Sequence, residues 1–145
     1  MKSPKPAGRK PAVNKVGSIK QEHFIPATPD EVYQALMNAE IHAEFTGAGA
    51  TCDPREGGAF TAHGDYITGK NVKLEKGKRI VQEWKTTEWP LGFKPSTLEI
   101  TLKKKGDGTL LAMKQTNVPA SQVSRYDSGW VEHYWIPLRE YFEGK

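Results

Sequence analysis

Hydrophobic and polar positions follow two rhythms along this chain, one helical and one alternating, and the C-terminal stretch carries the strongest signal. Between Gln122 and Phe142, Trp130, Tyr134, Leu138 and Tyr141 fall at i, i+4, i+8 and i+11, while Val131, Trp135, Leu138 and Phe142 fall at i, i+4, i+7 and i+11. Both series have the helical period, so together they predict one long helix with a broad apolar face. A helix of about twenty residues is roughly 30 Å long, and burying such a face requires a long concave partner. Pro137 falls inside the pattern, where it removes a backbone donor and crowds the carbonyl of His133. The periodicity continues beyond it, so a bend is expected there and not a stop. Gly129 is a second helix-weakening residue, expected where a neighbouring strand comes close.

Upstream, the period is two. Ser18 to Ile25 alternates, with Ile19, Gln21, His23 and Ile25 on one side, and stops at Pro26. Thr28-Pro29-Asp30-Glu31 then holds the parts of a helix start: a capping hydroxyl, a first-turn proline, acids near the positive end, and Glu31 placed to complete a capping box. Val32, Tyr33, Leu36 and Met37 form the apolar face of that helix. Ile41, Ala43 and Phe45 predict a second short helix after a break near Asn38, ended by Gly47 and Gly49. Ala50 to Asp53 and Ala59 to Ala62 read as one strand interrupted at Glu56-Gly57-Gly58.

Tyr66 to Leu74, Arg79 to Trp89 and Ser96 to Lys103 continue the alternation, with Ile80, Trp84, Leu98, Ile100 and Leu102 inward. Gly106-Asp107-Gly108 closes a hairpin onto Thr109 to Val118, bringing Leu111 and Met113 against those residues. The order is strand, two helices, a run of antiparallel strands, long helix. It predicts an α+β helix-grip fold, in which a curved antiparallel sheet of about six to seven strands wraps round the C-terminal helix.

A chain of 145 residues with 37% hydrophobic content suits one domain with a real core. No run approaches the roughly 18 apolar residues of a membrane span, and no signal-peptide pattern opens the chain, so a cytoplasmic protein without membrane insertion is expected. The net charge of +4 is unevenly placed. Lys2, Lys5, Arg9, Lys10, Lys15 and Lys20 stand in the first twenty residues with no acid, leaving 15 of the 21 basic residues against all 17 acidic ones. Residues 1–17, rich in proline, glycine and lysine, therefore read as a disordered basic leader, and 18–145 as the single folded domain. The folded part is slightly acidic, which argues against nucleic acid as its partner. Cys52 is the sole cysteine, so an internal disulfide and a cysteine-rich zinc site are excluded.

No catalytic set, metal site or cofactor motif emerges. Gly47-Ala48-Gly49, Gly57-Gly58 and Gly106-Asp107-Gly108 lack the spacing and following helix of a phosphate loop. His23, His42, His63 and His133 are scattered, with no ligand-spaced pair. Ser121, Ser124 and Ser128 lie near Asp127 and His133 without a nucleophile elbow, and Glu40 with Glu44 fits a solvated helix face. What remains is the space under the helix. Phe60, Trp84, Leu98, Ile100, Met113, Trp130 and Tyr134 converge there and either line a pocket for a small apolar molecule or fill a plain core.

Four stretches carry a family resemblance: FTGAGATCDPREGGAF (45–60), Trp89-Pro90-Leu91-Gly92, QTNVPA (115–120) and GWVEHYW (129–135). In this order they resemble the C-terminal domain of the activator of heat-shock protein 90 ATPase, within the superfamily of START domains and the birch-pollen allergen, over about residues 18–143. The resemblance implies a non-enzymatic, monomeric domain whose relatives contact a chaperone or hold an apolar ligand. The eukaryotic activators it resembles carry a separate anchoring domain ahead of this one. Here the leader stands in that place, so contact with heat-shock protein 90 through this domain alone is expected to be weak.

Overall fold

The computed structural model describes residues 15–144. Strand β1 (Val16–Ile25) begins two residues before the predicted Ser18, because Val16 pairs with Pro119 and Gly17 with Val118. The leader expected over residues 1–17 falls, for its first fourteen residues, outside the described ones. Helix α1 (Pro29–Met37) starts on the expected reciprocal cap: Glu31 N donates to Thr28 Oγ1 at 3.2 Å, and Thr28 N donates to Glu31 Oε1 at 2.9 Å. Asn38 closes α1 and opens α2 (Ala39–Thr46), its Oδ1 accepting from Ile41 N at 3.1 Å. Gly47 ends α2 at φ +76°, a left-handed position that glycine takes at little cost.

Six further strands follow: β2 (Ala50–Cys52), β3 (Ala59–Ala62), β4 (Ile67–Glu75), β5 (Arg79–Thr86), β6 (Ser96–Lys105) and β7 (Gly108–Pro119). They form one antiparallel sheet with β1, in the order β1-β7-β6-β5-β4-β3-β2. The expectation of one interrupted strand over 50–62 is corrected: β2 and β3 are the two arms of a hairpin, with Ala50 opposite Ala62 and Cys52 opposite Phe60. Gly57 turns the chain at φ +85°, and a Cβ at Gly58 would collide with the Asp53 carbonyl, so the glycine pair makes a reversal and not a bulge. Strand β5 stops at Thr86, short of the predicted Trp89, because Thr86 accepts from Glu88 N and Trp89 N and folds the chain back. At the centre of the sheet the alternation holds. Ile100 faces Met113 and Leu102 faces Leu111, and all four are buried.

The C-terminal helix is continuous but not uniform. A 3₁₀ turn (Ala120–Gln122) leads into α3 (Val123–Trp130), then a π turn (Val131–Trp135), then α4 (Ile136–Glu143). The widened turn answers the proline: Ile136 N donates five residues back to the Val131 carbonyl, which relieves the crowding of Pro137 against His133. Trp135 and Leu138 are fully buried, and with Trp130 and Tyr134 they join sheet residues Ile19, Ile80, Leu98 and Leu111 in one core. Each such side chain contributes about 1.5–3 kcal/mol by burial, which exceeds the cost of the irregular turn. Gly129 does not mark a close strand. Nothing lies within 4 Å of a Cβ built there, because that side of the helix borders open space.

Candidate functional site

Aromatic rings run as a seam between helix and sheet. Trp84 of β5 lies 5.6 Å from Trp130 and 5.3 Å from Tyr126, centroid to centroid, and Trp130 lies 4.7 Å from Tyr134 and stacks on Trp135 at 5.4 Å. A polar chain fixes the central ring. Trp130 Nε1 donates to Gln115 Oε1 at 2.8 Å, Gln115 Nε2 to Ser96 Oγ at 3.0 Å, and Ser96 Oγ to the Trp84 carbonyl at 2.7 Å. Every member is buried and paired, which locks the rotamers of both tryptophan-bearing elements.

The predicted lining residues Phe60, Trp84, Leu98, Ile100, Met113, Trp130 and Tyr134 are all buried. All but Met113 line a small, partly open gap of about 40 Å³, which they share with Leu36, His42 and Gln82. Met113 sits opposite Ile100 on the neighbouring strand and does not reach that gap. A space of this size suits about one water.

A larger space lies on the far side of the same rings. A half-open groove of about 410 Å³ runs along α3 and the π turn, walled by Trp84, Tyr126, Trp130 and Tyr134 and rimmed by Tyr66, Arg125, His63 and His133. Gly129 forms part of this wall, and the missing side chain helps keep the groove open. Tyr66, Arg125, Tyr126, Gly129, His63 and His133 were not among the predicted lining residues. The one sequence signal available was Gly129, a helix-weakening residue inside a strong helical pattern.

The rim is tied down. Tyr66 Oη and Arg125 Nη1 both donate to Glu88 Oε1 at 2.7 Å, and Tyr126 Oη bonds Thr86 Oγ1 and Gln122 Oε1, each at 2.7 Å. Burial, then the Glu88 hydrogen bond, push the Tyr66 hydroxyl up to about 12, and the Glu88 charge holds Arg125 above its ordinary value. Burial also raises the Tyr134 hydroxyl. His63 stands at the rim with φ +50°, an uncommon conformation for a residue with a Cβ. Its ring lies 6.0 Å from His133 and 5.5 Å from Tyr134, and burial followed by the His133 charge lowers its pKa.

Behind the wall, His42 is 8% exposed, its Nδ1 has no hydrogen-bond partner, and burial followed by the His63 charge lowers its pKa to about 4. It is neutral at physiological pH. Among the described residues no three His, Cys, Asp or Glu side chains come together as a metal site. Asp127, near the helix serines, is engaged by Gln21 Nε2 at 2.7 Å. Cys52 is half-buried with its thiol pKa raised by burial, which disfavours the thiolate.

Comparison with known proteins agrees with this architecture. The profile of the family described as "Activator of Hsp90 ATPase homolog 1-like protein" matches residues 26–143. The chain is similar to the human protein "Activator of 90 kDa heat shock protein ATPase homolog 1", with 30% identity over 122 residues, covering 84% of this chain and 36% of that one. It thus spans little more than a third of that relative's length. Among solved structures, an HSP90 activator from Plasmodium falciparum superposes with a TM-score of 0.71 at 23% identity, covering 82% of this chain and 89% of that one. Ara h 8.0201 superposes with a TM-score of 0.73 at 11% identity, covering 90% and 100%. At those identities both structures bear on the fold alone. No helix among the described residues is long and apolar enough to cross a membrane.

Proposed function

The chain belongs to the activator of Hsp90 ATPase homolog 1-like family, and from that premise we propose that this domain works by binding and not by catalysis, holding a small, largely apolar molecule against its helix. The observation that carries this reading is the groove of about 410 Å³ whose wall is the aromatic seam and whose rim is polar and anchored. Concave, ring-lined spaces of a few hundred Å³ with a few fixed polar groups are the usual form of small-molecule sites. On this reading the domain acts as a cytoplasmic monomer. Mass spectrometry of solvent extracts from the purified protein tests it, together with titration of an environment-sensitive naphthalene dye. No co-purifying apolar compound and no saturable dye site would overturn the reading.

A second reading has its own support, in the family match and in the name of the human relative. In it the domain contacts a heat-shock protein 90 chaperone through its surface and stimulates ATP hydrolysis by that partner. The chain covers about a third of the relative, 36% of its length, so any contact made by this domain alone should be weak and salt-sensitive. The ATPase rate of a heat-shock protein 90 with and without this chain decides it. No stimulation up to the highest soluble concentration would remove this reading and leave the groove.

A further inference from the structure

Two spaces meet at one wall. Trp84, Trp130 and Tyr134 line both the small gap of about 40 Å³ and the groove of about 410 Å³, so the two spaces adjoin across these rings. On the inner side stands His42, more than nine-tenths buried, which lines the gap and carries an Nδ1 that no hydrogen bond satisfies. Buried polar atoms are nearly always paired, and one that is not calls for a partner. Its ring neighbours Phe45 and Tyr134 pack against it with centroids at 5.2 Å each, and neither bonds that nitrogen. No Asp, Glu, Lys or Arg lines the gap.

We infer that groove and gap are two halves of one site, with His42 as its specificity-determining residue. The site takes a neutral molecule with an aromatic ring and one uncharged hydroxyl or amide, the ring lying along Trp84 and Trp130 and the polar group bonded to His42 Nδ1. This rests on the small-molecule reading above and names the class of ligand. The ring follows from the walls, since aromatic faces and edges pair best with other rings. Neutrality follows from the gap, where a charged head would lose its water and meet no counter-charge.

The single polar group follows from the imidazole. Held neutral, it presents one donor and one acceptor nitrogen, and the tautomer adapts to a hydroxyl or an amide. For one molecule to reach both spaces a shared ring must turn aside, and Tyr134 is one of the three. Tyr134 stands on the π turn, the kind of helix irregularity that recurs at functional sites.

The test compares naphthalene, 2-naphthol and 2-naphthoate as probes, titrated calorimetrically into the whole chain at neutral pH. The naphthol should bind at least about fivefold tighter than naphthalene, the ratio one neutral hydrogen bond supplies, and the naphthoate should bind most weakly. His42→Phe should erase the naphthol advantage over naphthalene. Equal binding of naphthol and naphthalene to the wild type, or equal weakening of both by His42→Phe, would overturn the assignment and leave the small-molecule reading standing. No binding by any probe would remove both. If His42→Phe does not fold, the ¹⁵N resonance of His42 Nδ1 in the wild type serves instead: naphthol should shift it and naphthalene should not, and an unmoved resonance at saturation would overturn the proposal.

Discussion

Acid should destabilise this protein chiefly through one buried ring. An unfolded histidine titrates near 6.5, whereas folded His42 titrates at about 4, because burial against Phe45 and Tyr134, and then the His63 charge, penalise the charged form. As pH falls, the unfolded chain takes up the proton first. The stability contribution is therefore complete above about 6.5 and is lost as pH falls toward about 4. At 1.36 kcal/mol per pKa unit, the loss is about 2 kcal/mol between pH 7.5 and pH 5, approaching about 3 kcal/mol near pH 4. His23 and His63 are also lowered by burial and act with the same sign, so wild-type data alone do not isolate His42. Urea unfolding followed by tryptophan fluorescence, at several pH values between these limits, should be run on wild type and His42→Phe side by side. The variant should lose most of the pH slope. A His42→Phe slope equal to that of the wild type would mean that His42 is not a buried neutral ring in the folded protein.

Other perturbations probe the grip and the helix. Trp130→Ala removes a ring that is 5% exposed and leaves Gln115 Oε1 without its donor, so it should cost about 3–5 kcal/mol in urea unfolding; a cost below about 1 kcal/mol would mean the helix is not held by the sheet. Gly129→Ala adds a methyl where nothing lies within 4 Å, in a helix, and should stabilise by up to about 1 kcal/mol. A drop in stability would show that the side chain meets something there. Thr28→Ala removes the side-chain half of the capping box, the hydroxyl that accepts from Glu31 N, and should lower stability by about 1 kcal/mol; an unchanged midpoint would assign the start of α1 to packing alone.

Features set by neighbours along the chain are legible before any folding is considered. The Thr28 and Glu31 cap, the alternation that sets Leu98, Ile100 and Leu102 against Leu111 and Met113, and the helical stripes through Trp130, Trp135 and Leu138 all rest on interactions or periodicities a few residues long. Tertiary structure alone decided where space is left. The same seven predicted residues suit a pocket or a filled core, and the choice lies in ring packing between elements remote in sequence, such as Trp84 against Trp130 and Thr86 against Tyr126. That packing closed the inner gap to about 40 Å³ and opened the groove beside Gly129, a glycine whose open flank no local pattern reveals. His42 was one scattered histidine in the sequence. It became a neutral, unpaired ring only when α2, β3 and the π turn closed around it, because desolvation belongs to the assembled interior and not to any stretch of chain.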